Sequence, residues 1–307
     1  MTHAEGGTRR QRGWSRACAE AALSVTALAG AALWGASQRS RLSSPADREE
    51  SRRLAEVSDR IASVLSRAEL RVVFQPIIST DTGRLVGAEA LARFDVTPAE
   101  SPDAVFAEAA TVGLGVELEL LAVRSALLAS AALPDDLYVS INVSPAALLS
   151  PLLTDCLFAT RLPMDRLVLE ITEHVSVPDY DELAARADEL RGLGLRLAVD
   201  DAGAGFASFR HILRLCPEYI KLDRTLIENI SEDPARRALA AAVVLFAFEM
   251  GSAVVAEGVE TLAELRTAQT LGIDAAQGFL LGRPTDDWGT WADWHSNGPL
   301  YPALART

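Results

Sequence analysis

The sequence predicts an α/β barrel of eight strands preceded by a helical N-terminal segment, and three observations carry that expectation. Strand-like and helical runs alternate along most of the 307 residues. Five apolar runs end in a carboxylate, at Glu89, Glu170, Asp200 with Asp201, Asp223 and Glu257, and a sixth ends in the amide Asn142. The steps between such ends run 53 residues from Glu89 to Asn142, then 28 to Glu170, 30 to Asp200, 21 to Lys221, 36 to Glu257 and 20 to Gln277. Most lie near the roughly 30 residues of one strand-plus-helix unit in a closed barrel. The first step is about two units long.

The elements follow in order. Residues 1–16 are polar and carry Arg9, Arg10, Arg12 and Arg16, and residues 17–36 are mostly apolar, about one membrane span in length. This second stretch is a candidate membrane anchor, although Glu20 lies inside it and alanine dominates it. A signal peptide ending near Gly35, Ala36 and Ser37, or a loosely ordered helix, are the other readings. Residues 37–55 are charged and read as a linker. A helix is expected over Glu56 to Leu70, with Val57, Ile61, Val64 and Leu65 at helical spacing. Strands are expected at Arg71 to Gln75, Leu85 to Leu91, Leu137 to Val143, Leu167 to Ile171, Leu195 to Val199, Tyr219 to Leu222, Ala253 to Ala256 and near Ala275. Helical patterns between them include Ala104 to Thr111, Val116 to Ser130, Tyr180 to Leu193, Pro234 to Met250 and Thr261 to Leu271. Such alternation implies a mostly parallel sheet with crossover helices, and chemistry at the strands' C-terminal ends. The barrel domain is expected over 56–295, with a tail from 296 to 307.

Composition narrows the function. At 49% hydrophobic the chain can bury a large core, and its formal charge of -13 argues against a nucleic-acid duplex as partner. Cys18, Cys156 and Cys216 are far apart, so neither a zinc site nor a disulfide framework is indicated. Repeated acids at strand ends point to something positive gathered among them, because an ionised carboxylate out of water needs a partner or a metal. Of the 29 basic residues only Lys221 is lysine. It ends a strand-like run, where a compact ammonium reaches one oxygen in a tight pocket as arginine cannot.

The segments Phe74-Gln75-Pro76-Ile77 and Gly87-Ala88-Glu89-Ala90-Leu91-Ala92-Arg93-Phe94 open a series of motifs. Asn142-Val143-Ser144, Glu170-Ile171-Thr172-Glu173, Asp200-Asp201-Ala202-Gly203-Ala204-Gly205-Phe206, Ile220-Lys221-Leu222-Asp223, Ala256-Glu257-Gly258-Val259-Glu260-Thr261 and Gln277-Gly278-Phe279 continue it. In this order the motifs resemble an EAL-domain cyclic-di-GMP phosphodiesterase over about residues 56–290. The resemblance implies a TIM-like (β/α)8 barrel with one irregular or antiparallel strand, a homodimer, and hydrolysis of cyclic di-GMP to linear pGpG. It implies two Mg2+ or Mn2+ ions, with Ca2+ inhibitory, which suits hard cations and oxygen donors. Glu89, Asn142, Glu170 and Asp200 would hold one ion, and Asp200 would bridge to a second held also by Asp201 and Glu257. Lys221 would stabilise charge at the attacking water, while Glu257 suits either coordination or general-base work. Gln75, Arg93 and Leu91 would meet the substrate, Gln277 would organise the water and metal surroundings, and Glu173 would brace the loop after Asp200.

Several residues carry a second reading. Asn142 could cap the next helix, although Ser144 before Pro145 is the natural start signal. Asp223 and Glu260 read as supports beside the site rather than ligands. Trp288, Trp291 and Trp294 read as a final helix packed on the barrel. Ala202 departs from the pattern, which usually has an aromatic residue there; this puts loop order and regulation in question without removing a ligand. A receptor that binds cyclic di-GMP without cleaving it is the alternative function, and a catalytic domain facing the cytoplasm is the expected location in either case.

Overall fold

The computed structural model describes residues 45–94, 101–160, 162–171, 179–202 and 206–297. The candidate anchor at 17–36, the 298–307 segment and Glu173 lie outside the described residues. The chain divides into two units, Met1–Ala68 and Glu69–Thr307.

In the first unit, helix α1 spans Pro45–Arg67 and so begins well before the expected start at Glu56. The part of the stretch read as a linker that is described, residues 45–55, belongs to this exposed helix. Pro45 opens the first turn, Asp47 complements the helix dipole there, and Arg52 pairs with Glu49 at 2.8 Å and with Glu56 at 3.7 Å. Among the described residues, no helix is long and apolar enough to cross a membrane.

The second unit is a closed barrel whose eight strands pair in chain order. They are β1 Leu70–Ser79, β2 Leu85–Phe94, β3 Tyr138–Val143, β4 Leu167–Ile171, β5 Arg196–Ala202, β6 Tyr219–Leu222, β7 Ala253–Ala256 and β8 Ala275–Ala276. Strands β2 to β8 run parallel, while β1 is antiparallel to both β2 and β8. Among the described residues, the long first step is filled by two helices, α2 Pro102–Thr111 and α3 Gly115–Ala129, rather than by a further strand. The others are α4 Pro145–Leu149, α5 Pro151–Phe158, α6 Tyr180–Gly192, α7 Phe206–Leu215, α8 Arg224–Ile227, α9 Pro234–Met250, α10 Leu262–Leu271 and α11 Trp288–Ser296. Prolines at the first turns of α2, α4, α5 and α9 follow Ser101, Ser144, Ser150 and Asp233, whose side chains cap the helices.

Strand β1 runs past Gln75, where a proline ends the sequence pattern. Phe74 exchanges both backbone hydrogen bonds with Thr285, on the side away from β2. Pro76 has the same parity, and the ladder to β8 involves only Ile78 and Ser79, so the missing N–H falls where no ladder bond is made.

The outer face of the barrel packs on the helices through residues such as Phe74, Leu169 and Ile220, against Leu127, Leu190 and Val243. Trp291 of α11 is buried edge-on to Phe74 at 6.3 Å between ring centroids. The interior is filled in layers, as barrels of this size require. Its lower layer contains Ile77, Val255 and Ala275 with Tyr138 and Tyr219, whose rings stack at 5.4 Å. Gly87 makes room for this layer, since a Cβ there would come within 2.5 Å of the Tyr138 ring. One layer higher stand the acids.

Candidate functional site

Pleat and register deliver the polar residues to one interior level. Gln75 on β1 pairs with Glu89 on β2, Glu89 with Ser140 on β3, and Asn142 with Glu170 on β4. Asp200 lies two residues beyond Ala198, the partner of Glu170. Lys221 pairs with Val255, and Glu257 and Gln277 follow β7 and β8 directly. Neighbouring side chains on one face of a sheet are forced together, so residues up to about two hundred positions apart share one pocket.

Lys221 is the centre. Its buried ammonium lies 2.5 Å from Glu257 Oε1, 2.6 Å from Glu170 Oε2, 3.5 Å from Asp200 Oδ1 and 3.6 Å from Glu89 Oε1. Burial alone would lower its pKa, yet Asp200, Glu170, Glu257 and Glu89 hold it well above the usual lysine value. Glu89 accepts from Asn142 Nδ2 at 2.9 Å and from Gln277 Nε2 at 2.5 Å. Against the burial that would raise it, Lys221 and these amides keep Glu89 below the ordinary carboxylate value. Glu170 accepts from Lys221 and from the Ser140 hydroxyl. Its burial, joined by the charges of Glu89, Asp200 and Glu257, still pushes its pKa well up. Burial and the nearby Asp200 and Glu89 push Glu257 up to about 8.

Asp201 joins from a position a regular strand would turn away. The β5–β6 register shifts between Val199 and Ala202, and Asp201 has φ 56°, a left-handed conformation that aspartate tolerates. The irregularity brings Asp200, Asp201 and Glu257 close enough for one oxygen from each to lie within 4.8 Å of the others. The acid layer thus sets Glu89, Glu170, Asp200 and Glu257 around one ammonium, with Asp201 beside Asp200 and Glu257, in an all-oxygen donor set. Such a surplus of negative charge in a partly closed site fits hard divalent cations.

Above the acids opens a cavity of about 240 Å³, lined by Gln75, Glu89, Asp200, Glu257 and Gln277, with Arg224 and Glu260 at its side. Gln277 Nε2 also donates to Gln75 Oε1 at 2.9 Å, tying β8 to β1. Leu91 and Arg93 follow Glu89 on the same face of β2 by strand alternation, half-buried and away from the cavity wall; Arg93 donates to the carbonyl of Ala92 at 2.7 Å. Asp223 caps α8 through Thr225 N–H at 2.9 Å. Glu260 pairs with Arg224 at 2.9 Å, and Thr261 opens α10 in a reciprocal capping box with Glu264. Ser144 caps α4, leaving the Asn142 amide to Glu89.

Three residues at the site carry no expectation from the motifs. Ser140 is one; its alternation with Asn142 in an otherwise apolar strand is the signal that could have found it. Glu119 on α3 is another, accepting from Ser144 N–H at 2.7 Å, and burial raises its pKa. Nothing in the sequence around Glu119 distinguishes it from a solvated helix acid. The third is Arg224, one residue past the helix cap.

Fold and site define an α/β-barrel protein with a lysine-centred acidic pocket at its strand ends. The chain belongs to the EAL domain family, whose profile matches residues 57–284. It is 30% identical over 234 residues to the cyclic di-GMP phosphodiesterase PdeL of Escherichia coli, covering 73% of this chain and 65% of that one. The solved PaMucR phosphodiesterase in complex with c-di-GMP superposes with a TM-score of 0.68 at 27% identity, over 76% of this chain and 99% of that one. The Klebsiella pneumoniae BlrP1 structure with manganese and cy-diGMP gives 0.64 at 32% identity, over 71% of this chain and 56% of that one. The alignments span 27% to 34% of the length of the first curated relatives matched, about a third of those proteins.

Proposed function

We propose that this chain hydrolyses cyclic di-GMP to linear pGpG in a reaction that requires two Mg2+ or Mn2+ ions. The observation that carries the reading is the complete acid layer around buried Lys221 at the barrel mouth. Relatives with the same fold support the substrate: the PaMucR structure contains c-di-GMP, and BlrP1 was solved with it alongside calcium or manganese. Glu89, Asn142, Glu170 and Asp200 would hold one ion; Asp201 and Glu257, with Asp200 between the two groups, would hold the other. Bound divalent ions supply a nucleophilic oxygen at neutral pH and offset charge on the attacking and leaving oxygens of a phosphodiester.

The chain's own groups do the rest. Lys221, its side chain only 2% exposed, places a fixed positive charge where negative charge develops, and little solvent screens it. Gln277 and Asn142 fix the rotamer of Glu89 by donating to its two oxygens. Glu257, the most accessible partner of Lys221, would either help hold the second ion or accept the proton of the attacking water as its oxygen bonds to phosphorus, while the P–O bond to the ribose breaks and the departing ribose oxygen takes a proton from solvent. The catalytic domain faces the cytoplasm in this reading, because its substrate is an intracellular messenger.

The test is hydrolysis of cyclic di-GMP by the full chain with magnesium, manganese and calcium compared, and pGpG read by chromatography. Turnover with manganese, little with calcium, and loss of turnover in Glu89→Ala are expected. Binding in calcium with no turnover in manganese would instead establish a silent receptor.

A further inference from the structure

Arg224 occupies a position that the acid layer does not explain. Among the described residues that line the cavity it is the only basic one, since Lys221 is enclosed beneath by the acids. Its stem is fixed by Gly258, which has φ 66° and no side chain: a Cβ there would lie 2.5 Å from Arg224 Cγ and 2.7 Å from its Cβ. Asp223 fixes the backbone beneath by capping α8. The guanidinium end is held less firmly. Its partner Glu260 lies at 2.9 Å, and both side chains are about half exposed, at 55% and 42%. An ion pair between two half-exposed groups contributes little net stability, so exchanging Glu260 for another anion costs little.

We propose that Arg224 is a substrate-recognition residue that leaves Glu260 to bind the phosphate of cyclic di-GMP that is not being cleaved. This rests on the reading of the site given above. A cyclic dinucleotide has two phosphates. The acid layer with its cations engages the scissile one, and the remaining phosphate requires a donor at the cavity side, where a planar guanidinium can make two hydrogen bonds. Glu260 holds that donor near its working position and discourages anions unable to displace a carboxylate.

The experiment compares full-length wild type, Arg224→Ala and Arg224→Lys on two substrates in manganese: cyclic di-GMP and bis(p-nitrophenyl) phosphate, which has a single phosphate. For Arg224→Ala, KM for cyclic di-GMP should rise about tenfold to a hundredfold, as expected for a lost charge-assisted contact. The ratio of kcat/KM for cyclic di-GMP to that for the small diester should fall by the same factor, with Arg224→Lys recovering part of it. Equal losses on both substrates would show a structural effect and overturn the proposal, as would an unchanged KM. Binding of cyclic di-GMP in calcium separates the two claims. If wild type binds without cleaving and Arg224→Ala binds about tenfold more weakly, catalysis fails and the contact stands; wild type that neither binds nor cleaves overturns both.

Discussion

The acid layer has an inner and an outer half, and they are held together by different things. Glu89 and Glu170 have side chains 8% and 2% exposed, and the protein satisfies them: Asn142, Gln277, Ser140 and Lys221 all donate to one or the other. Asp200 and Glu257 are 13% and 19% exposed and share Lys221 as their cationic partner. Asp200 also accepts the Asp201 N–H at 2.9 Å, a bond that shapes the turn. The inner pair is thus largely satisfied by the protein itself even before any ion it would hold, whereas Asp200, Asp201 and Glu257, whose oxygens lie within 4.8 Å of one another, would depend more on a cation. A buried charge pair is strongly destabilised when one member is removed, whereas a partly exposed acid relieved of its neighbours is not.

The largest effect expected from this contrast is at Lys221. Lys221→Met leaves Glu89 and Glu170 buried without their ammonium, and should lower metal-free stability by about 3 to 5 kcal/mol, measured by urea unfolding, while turnover is lost. Unchanged stability would break the inner–outer distinction at its centre. Saturating manganese works from the other side. At about a hundred times its dissociation constant it should add roughly 2.7 kcal/mol to wild-type stability for each site it fills, seen as a rise in melting temperature. Asp201→Asn should keep metal-free stability within about 0.5 kcal/mol while weakening manganese binding in calorimetry at least tenfold. A destabilised Asp201→Asn with intact manganese affinity would place Asp201 with the inner half instead. Ser140→Ala, which removes one donor from Glu170, should cost about 1 to 3 kcal/mol, the range for a buried acceptor left unsatisfied.

The same contrast explains what was legible in the sequence. Inward residues at strand ends announce themselves, because Glu170 or Lys221 closing an apolar run has no reason to be there unless partnered. Closure into a barrel followed from the eight strand-like runs alternating with helices. That one strand would be irregular or antiparallel came only with the family resemblance, and that it is β1 came only with the structure, since local pattern does not encode strand direction. Its length was hidden by Pro76, whose tolerance depends on the absence of a partner strand at that level. The helical start at Pro45 was hidden by charge, because a solvated helix face and a linker share a composition. Asp201 was readable as an acid but not as an inward one, since a regular strand would turn it outward and only the register shift with positive φ reverses that.

Glu119 is the smallest and most local test of how far support for the site extends beyond the acids. Ser144 N–H falls between the end of β3 and the first turn of α4, so neither the ladder nor the helix uses it. Glu119 Oε2 takes it at 2.7 Å from the neighbouring helix α3. That bond fixes the turn two residues after Asn142, whose amide must point at Glu89. Removing the acceptor in Glu119→Ala should cost about 1 to 2 kcal/mol of stability and weaken manganese binding severalfold through a less constrained Asn142. Glu119→Gln keeps an acceptor oxygen at the same reach and should recover most of both losses. Recovery of stability without recovery of metal affinity would show that the turn and the ligand are uncoupled, and would confine the site's support to the barrel interior.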